Sequence, residues 1–321
     1  GTIAAQAQSW PTRAVTMVVP FAAGGGTDVL GRIVGRRLSE TLGQQVIIEN
    51  VGGAGGMMGS ARVAKSSPDG YQFVLGSRAD AINQTLYKTP LYSLVNDLDP
   101  VVLVADQPTV MVARKDLPVN GLQEFIAYAK ANQGKMQFGS AGAGSTGFID
   151  CALFNAAIGV TITHVPYRGA GPALPDLIAG RIDVIPADPP VLLPLVAANQ
   201  IRPVVVLGVN RLASLPDTPT TVELGYSGMV MENWYGLLAP AGLPPDVAKK
   251  LEAAALIAIK SAAVQEHMKK GEISGTLNAS EFAARIAKDA AYWRPMLPKL
   301  GITAVDGPAA APSSAPAAPS R

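Results

Sequence analysis

The chain has 321 residues, of which 48% are hydrophobic and 16% are charged, so it is long enough for two domains with well-filled cores. Its 26 lysines and arginines stand against 24 aspartates and glutamates, and no basic run is present that would neutralise a nucleic-acid backbone. This composition excludes a disordered chain and argues against nucleic acid as a partner.

Cysteine and histidine are too scarce for most metal sites. Cys151 stands alone, which rules out an intrachain disulfide and a cysteine zinc site. His164 and His267 are the only histidines, so a His-rich metal site is excluded as well. A Ser-His-Asp site would need one of them, and neither lies near a nucleophile motif. The sequence therefore predicts no metal, no cofactor and no catalytic residue.

Residues 1–9 are expected to lie outside the folded domains. Ala5-Gln6-Ala7 fits the small-x-small site at which a secretory signal peptide is cleaved, although alanine-rich N-termini also occur without export. No apolar stretch reaches the length of about 18 residues that a membrane-spanning helix needs. We therefore expect a periplasmic protein that begins with a signal-peptide remnant and a short extension.

The first chemical signal is a glycine-rich loop between a strand and a helix. Residues 15–19 form an apolar strand, and the apolar spacing of residues 30–42 predicts a helix with one buried face that Gly43 ends. The loop between them leaves backbone N–H groups at a helix N-terminus, which is an anion-binding geometry. The alternative is a tight turn capped by Asp28, whose carboxylate would repel an anion. Candidate ligand-binding residues of this loop are Phe21, Ala22, Ala23, Gly26, Thr27 and Asp28.

The next elements complete a first lobe. They are a strand at 45–49, a short helix that ends near 65 after the glycines at 52–56, a strand at 71–75, and β-rich runs at 101–105 and 109–113. Residues 106–108 separate the two runs, and we expect the chain to cross into a second lobe there. Ligands of parallel sheets bind beyond the carboxyl ends of the strands, which adds Ser77 and Asp80 to the candidates.

A second strand, small-residue loop and helix unit runs from Met136 to about Ala157. Its loop again leaves N–H groups at a helix N-terminus, so two such loops on two lobes would hold an anionic ligand from both sides. The candidates here are Ser140, Ala141, Gly144, Ser145, Thr146 and Phe148, although Phe148 fits core packing better.

The remaining pattern continues the alternation of strands and helices. Helices are predicted at 122–131, 146–157, 173–179, 246–259 and 280–300, and strands at 136–138, 162–165, 182–185, 203–207 and 234–238, the last being the return crossing. This alternation predicts an α/β fold of two lobes, each a mostly parallel sheet flanked by helices. The predicted first lobe comprises residues 10–105 and 236–304, the second lobe 106–235, and residues 305–321 form a disordered tail rich in Ala, Pro and Ser.

Two further strand ends carry polar candidates. Tyr167 and Arg168 suit hydrogen bonding to a carboxylate, although an arginine at such a turn is also common on protein surfaces. Asp188 lies among prolines that would fix it as an acceptor in the cleft, or else it caps the next helix.

One loop also fits a different function. Gly142-x-Gly144-x-x-Gly147 matches the dinucleotide fingerprint between a strand and a helix. The confirming acid at the end of the next strand is missing, although Arg168 there would suit the 2′-phosphate of NADP. An NADP-dependent oxidoreductase is therefore the alternative function.

Segments spread along the chain stand in the order found in one family. They are Val18 to Asp28, Leu42-Gly43-Gln44, Glu49-Asn50, Gly53 to Gly56, Pro68 to Tyr71, His164 to Gly169 and Glu223-Leu224-Gly225. From about Trp10 to Ala304 the chain resembles the periplasmic solute receptors of tripartite tricarboxylate transporters, also called Bug receptors. The resemblance implies a type II-like periplasmic binding protein that closes like a hinge on a small carboxylate, between the first loop and residues 140–146.

The resemblance also implies partners. We expect a monomeric receptor, not an enzyme, that delivers its ligand to the membrane subunits of such a transporter; a ligand sensor for a membrane kinase would need the same closing receptor. Departures from the family pattern fall near the site. Phe148 stands where His is frequent, residues 150–152 differ, and residues 186–190 read Pro-Ala-Asp-Pro-Pro instead of a Phe-Asp-Asn-like segment. These changes favour a mono- or dicarboxylate with an apolar or aromatic body over citrate.

Overall fold

The computed structural model describes residues 10–270 and 273–307, and the predicted signal-peptide remnant and most of the predicted tail lie outside these ranges. Short 3₁₀ turns lie at Ala54–Gly56 and Ser227–Met229. In chain order, the strands and α-helices are β1 (Val15–Val19), α1 (Gly26–Leu42), β2 (Val46–Asn50), α2 (Met57–Ala64), β3 (Gln72–Ser77), α3 (Arg78–Leu86), β4 (Leu98–Arg114), α4 (Leu122–Ala131), β5 (Gln137–Ser140), α5 (Thr146–Ile158), β6 (Thr163–Pro166), α6 (Ala170–Ile178), β7 (Val184–Ala187), α7 (Pro189–Ala197), β8 (Ile201–Leu207), β9 (Glu232–Pro240), α8 (Pro245–Ile259), α9 (Ala262–Lys270) and α10 (Ala279–Lys299).

The strands form one curled sheet in the order β2-β1-β3-β9-β4-β7-β5-β6, and β8 also pairs with β4. The flanks β2-β1-β3 and β7-β5-β6 are parallel, whereas β4 and β9 run antiparallel to their neighbours. The α/β prediction is confirmed, and the sheet is mixed because of these two crossing strands. We call β1–β3 with α1–α3 and α8–α10 the first lobe, and β5–β8 with α4–α7 the second lobe.

β4 is one strand of 17 residues that serves both lobes. Up to Pro108 it pairs with β9, and from Thr109 onward it pairs with β8 and β7. The prediction of two separate runs broken at 106–108 is therefore wrong. Asp106 stays in the strand, where Arg285 of α10 lies 3.1 Å from its carboxylate. The predicted lobe boundaries themselves stay predictions.

α1 shows how the sequence pattern becomes a buried face. Leu30, Val34 and Leu38 are at most 2% exposed and pack in one core cluster with residues of α8. Burial of each such side chain stabilises the fold by about 1.5–3 kcal/mol. Gly43 ends the helix at a φ of 69°, and its N–H donates to the carbonyl of Ser39. This packing fixes the N-terminus of α1 at the edge of the first lobe.

The sequence pattern did not predict α3, α7 and α9. α3 begins with a capping box, in which the backbone N–H of Ser77 donates to Asp80 Oδ2 at 2.8 Å. α7 begins with Pro189 and Pro190, whose missing N–H groups cost nothing in a first helical turn. Ser77 and Asp80 therefore start a helix, and the prolines after Asp188 do the same.

The ordered chain extends into the segment predicted to be a tail. Val305 pairs with Tyr87 in a parallel bridge, and its N–H donates to the carbonyl of Leu86 at 2.9 Å. Asp306 lies 2.9 Å from the ammonium group of Lys88. Residues 305–307 are therefore part of the fold, and the rest of the predicted tail lies outside the described residues.

Candidate ligand-binding site

A cavity of about 60 Å³ lies between the two lobes. Eight residues that the sequence predicted for the site line it, and they are Phe21, Gly26, Thr27, Ser77, Ala141, Ser145, Thr146 and Asp188. The lining residues that the sequence reasoning missed are Gly25, Thr109, Gly147, Asp150, Ala170, Pro186, Ala187, Asn233 and Tyr235. The structure thus brings both predicted loops to one place.

The N-terminus of α1 forms the first-lobe wall of the cavity. Gly25 is its N-cap residue, has an extended backbone, and carries no side chain that could satisfy the first N–H groups of the helix. Asp188 of the second lobe packs directly on Gly26, because a Cβ atom added to Gly26 would lie 1.9 Å from Asp188 Oδ2. Only glycine leaves room for this approach.

The N-terminus of α5 forms the second-lobe wall. Ser145 caps it, since its hydroxyl accepts a hydrogen bond from the backbone N–H of Phe148 at 3.3 Å. The hydroxyl of Thr146 donates to Asn233 Oδ1 of β9 at 3.0 Å. Two helix N-termini from opposite lobes therefore border one cavity, and each favours negative charge.

Asp28, which the sequence offered as a ligand residue or a cap, lies outside the cavity lining. Its carboxylate accepts hydrogen bonds from the backbone N–H of Gly24, from Arg32 and from Asn50 at 2.9–3.1 Å. Burial alone would raise the pKa of Asp28, but these hydrogen bonds and the Arg32 charge outweigh it and hold the pKa low. Asp28 therefore fixes the glycine loop from behind.

Asp80 is likewise outside the lining, because it is used to start α3. Its carboxylate accepts hydrogen bonds from the N–H of Ser77 and from the hydroxyl of Tyr92. Burial raises the pKa of Asp80 in spite of these bonds. Its contacts are structural ones within the first lobe.

Ser140 and His164 form a hydrogen-bonded pair at 2.6 Å that the sequence reasoning missed. In the parallel pairing of β5 and β6, His164 lies opposite Phe138, and the two rings stack with their centroids 4.8 Å apart. The ring of Phe148 also lies near the imidazole, with the centroids 4.8 Å apart, and burial lowers the pKa of His164 to about 4. Ser140 and Phe148 therefore support the α5 loop and do not line the cavity.

The other predicted residues that lie outside the lining hold the lobes together. The backbone N–H of Ala22 donates to the carbonyl of Arg168 at 2.9 Å across the cleft. A Cβ atom on Gly171 would lie 2.2 Å from the carbonyl oxygen of Ala23, and one on Gly144 would lie 2.1 Å from Asn83 Oδ1. The lobes therefore meet through close contacts at Ala22, Ala23, Gly144 and Arg168.

Tyr167 points to its own lobe. Its hydroxyl donates to Asp176 Oδ2 at 2.7 Å. Burial, and to a smaller extent the Asp176 carboxylate, raise the pKa of the Tyr167 hydroxyl.

The glycines of the dinucleotide fingerprint are explained by packing, because Gly142 approaches Gly55 and Tyr167 closely. The glycine pattern therefore has a packing explanation that requires no dinucleotide.

Two carboxyl groups of the protein itself border the cavity. The hydroxyl of Tyr235 donates to Asp188, and burial raises the pKa of Asp188, opposed by Tyr235 and by the nearby Gln107 and Asn233 side chains. Asp150 is 1% exposed, and neither of its carboxyl oxygens has a hydrogen-bond partner among the described residues. Burial raises the pKa of Asp150 to about 8, opposed by the charge of Arg78.

Comparison with known proteins identifies the family of this chain. The model of the TctC family, described as the tripartite tricarboxylate transporter family receptor, matches residues 30–302. The chain belongs to this family.

Among the described residues, no helix is long and apolar enough to cross a membrane, and no cluster of acidic, His or Cys side chains is placed to hold a metal ion.

Relatives of this TctC-family chain resemble it over most of their length. A protein of Agrobacterium vitis, named UPF0065 protein in the TAR-I ttuE-ttuC' intergenic region, is 40% identical over 263 residues, which are 82% of this chain and 76% of that one. The periplasmic binding protein BugD has 32% identity and a TM-score of 0.89 over 93% of this chain and 100% of its own. MatC from Rhodopseudomonas palustris with bound malate has 31% identity and a TM-score of 0.84 over 90% of this chain and 100% of its own. These neighbours are two-lobed periplasmic binding proteins, which confirms the predicted architecture.

Proposed function

We propose that this TctC-family chain is a monomeric periplasmic receptor that captures a small carboxylate between its lobes and delivers it to the membrane subunits of a tripartite tricarboxylate transporter. Family membership supports the receptor role. The malate bound to MatC, a structural neighbour, supports a carboxylate ligand. In this proposal the chain binds and releases its ligand without chemical change.

The observation that carries the proposal is the meeting of two helix N-termini at one cavity. Gly25 and Gly26 of the first lobe face Ser145 and Thr146 of the second lobe across it. Each terminus offers backbone N–H groups and the positive end of a helix dipole to an anion. A carboxylate between them gains hydrogen bonds from both lobes only when the lobes are closed, so it stabilises the closed state.

The size of the cavity bears on the ligand and on entry. A volume of about 60 Å³ is far below the roughly 300–1,000 Å³ of drug-sized pockets. The close contact of Ala22 with Arg168 leaves no wide entrance at that point. We therefore propose that the structure represents the closed form, that the ligand is small, and that it enters when the lobes part.

A thermal-shift panel tests this function. The purified chain is melted with mono-, di- and tricarboxylates, with the corresponding neutral amides as matched controls, and with NADPH. A ligand at about a thousandfold excess over its Kd stabilises the fold by about 4 kcal/mol, which a melt detects. We expect a shift with at least one small carboxylate and none with its amide; a shift with NADPH alone would instead support the oxidoreductase.

A further inference from the structure

Asp150 is a carboxyl group that is buried in the fold without a partner. It lies in the second turn of α5, is 1% exposed and lines the inter-lobe cavity. Thr109 is close enough to affect its pKa, but neither carboxyl oxygen has a hydrogen bond of normal geometry with another described residue. Because an unpaired buried polar group destabilises the fold, its presence at the cavity calls for a ligand group that pairs with it.

The charges around Asp150 are unbalanced. Asp150 and Asp188 are the charged side chains that line the cavity, and no Lys, Arg or His lines it among the described residues. Arg78 of α3 is the cation that acts on Asp150, but its Nε lies 3.6 Å from Asp289 and is shared with that carboxylate. Asp188 already accepts a hydrogen bond from Tyr235. Among the described residues that line the cavity, Asp150 is therefore the carboxyl group without a hydrogen bond of normal geometry.

We propose that Asp150 binds an ammonium group of the ligand, so that the ligand is a small zwitterion, an amino acid, whose carboxylate lies at the N-termini of α1 and α5. This inference rests on the proposed receptor function and narrows its ligand class. An ammonium group has three donors for the two free oxygens of Asp150. It also offsets the negative charge of Asp150 in its ionised form.

A dicarboxylate makes a different demand on this cavity. Its second carboxylate would be the third carboxyl group in a region that no cationic side chain lines among the described residues. It would need Asp150 to be protonated, whereas an ammonium group needs Asp150 to be ionised. The two ligand classes therefore make opposite demands on one proton.

This proton gives the proposal a distinctive pH signature. The groups that face Asp150 are Arg78 of α3, Thr109 of β4 and Asp188 before α7, and burial sets its pKa at about 8. An amino acid must displace the proton at pH 6, so its affinity rises from pH 6 to pH 8 and its binding releases a proton. A ligand without an amino group binds with the opposite trend or with none.

Calorimetric titration of the full chain with matched ligands tests the proposal. One series is L-alanine, L-lactate and propionate, and the other is L-aspartate, L-malate and succinate; glycine, β-alanine and γ-aminobutyrate extend the amino acids. Within a series the ligands differ only in the group on one carbon. We expect an amino acid to bind at least about tenfold more tightly than its hydroxy and unsubstituted partners at pH 8.

The variant Asp150→Asn keeps the shape of the side chain and removes its charge. We expect it to weaken amino-acid binding at least about tenfold, to leave the unsubstituted acids unchanged or tighter, and to abolish the proton release. Asp150→Ala serves as a second variant with the same expectation. The melting temperature of each unliganded variant controls for folding.

Three outcomes count against the proposal. It is overturned if plain acids bind as tightly as amino acids, if plain acids bind and amino acids do not, or if Asp150→Asn keeps the preference. In each of these cases the receptor function still stands, because a carboxylate binds. If no carboxylate or amino acid binds at all, the proposed function itself fails together with this inference.

Discussion

Three aspartates near the cavity have different roles because their partners differ. Asp28 is ionised and fully hydrogen bonded behind the glycine loop, and Asp188 accepts a hydrogen bond from Tyr235. Asp150 has no hydrogen-bond partner among the described residues. The sequence placed Asp28 and Asp188 next to their strands, which is why both were candidates. It could not predict which of them faces the cavity, because Asn50 and Tyr235, which hydrogen bond to Asp28 and Asp188, are distant in the sequence.

Asp150→Asn should change the pH dependence of stability. Burial raises the pKa of Asp150 to about 8 in the folded chain, above the unfolded value of about 3.9. Protonated Asp150 therefore favours folding at low pH, and this contribution is lost as pH rises from about 4 to 8. We expect the melting temperature of the variant to exceed that of the parent by an amount that grows up to pH 8 and then levels off. A difference that is constant with pH would contradict the assignment.

Asp28→Asn should loosen the first glycine loop. The pKa of Asp28 is held low in the folded chain, so its contribution to stability is present at neutral pH and is lost as pH falls through that lowered pKa. We expect a loss of about 1–2 kcal/mol at pH 7, measured by urea unfolding, because charged hydrogen bonds to Arg32 and Gly24 are weakened.

Glu40→Gln is the matched control for this loss. Glu40 pairs with Arg37 at 2.8 Å on the same helix, but the pair is exposed. Exposed pairs contribute about 0–1 kcal/mol, so this control should change stability little. Equal losses in the two variants would contradict the role given to Asp28.

Secondary structure was predictable from the sequence where local signals and packing agree. β1 and α4 match their predicted bounds, because apolar spacing alone defines them. β4 was predicted as two separate runs, because Asp106 and Pro108 disfavour strand structure locally. In the fold, Arg285 pairs with Asp106, and Pro108 lies where β4 changes partners. These contacts come from distant parts of the chain, which a local pattern does not contain.

The N-terminal turn of α6 contacts the first glycine loop of the opposite lobe. Gly171 lies so close to Ala23 that an added Cβ atom would be 2.2 Å from its carbonyl oxygen. Gly171→Ala is favourable for the helix itself, so the variant should fold. We expect its affinity for the ligand to fall at least about tenfold, measured by calorimetry, because the closed state is disfavoured.

Gly228→Ala is the control for this closure variant. An added Cβ atom at Gly228 meets nothing within 4 Å. Ligand affinity should therefore stay at the parent value. If Gly171→Ala also binds like the parent, the contact between α6 and the first loop is not part of ligand capture.

At the scale of the whole molecule, the two-lobed architecture followed from the sequence, and the composition of the site did not. The two glycine loops were visible as strand, loop and helix units, so their meeting could be expected. Asn233 and Tyr235 lie on the crossing strand β9, and no motif marks them as cavity residues. In the fold, Asn233 hydrogen bonds to Thr146 and Tyr235 hydrogen bonds to Asp188. The site is therefore built from both lobes and from the strand that crosses between them.

The distance between the lobes, measured with and without a carboxylate, tests the central claim most directly. Spin labels at Met58→Cys and Ile178→Cys would report it, since these side chains are 47% and 42% exposed, whereas Cys151 is buried and should stay unlabelled. We predict that a carboxylate found in the thermal-shift panel shifts the distance distribution to one narrow closed population, and that Gly171→Ala weakens this response. A carboxylate that binds without changing the distance, or a chain that binds none, would contradict capture between the lobes.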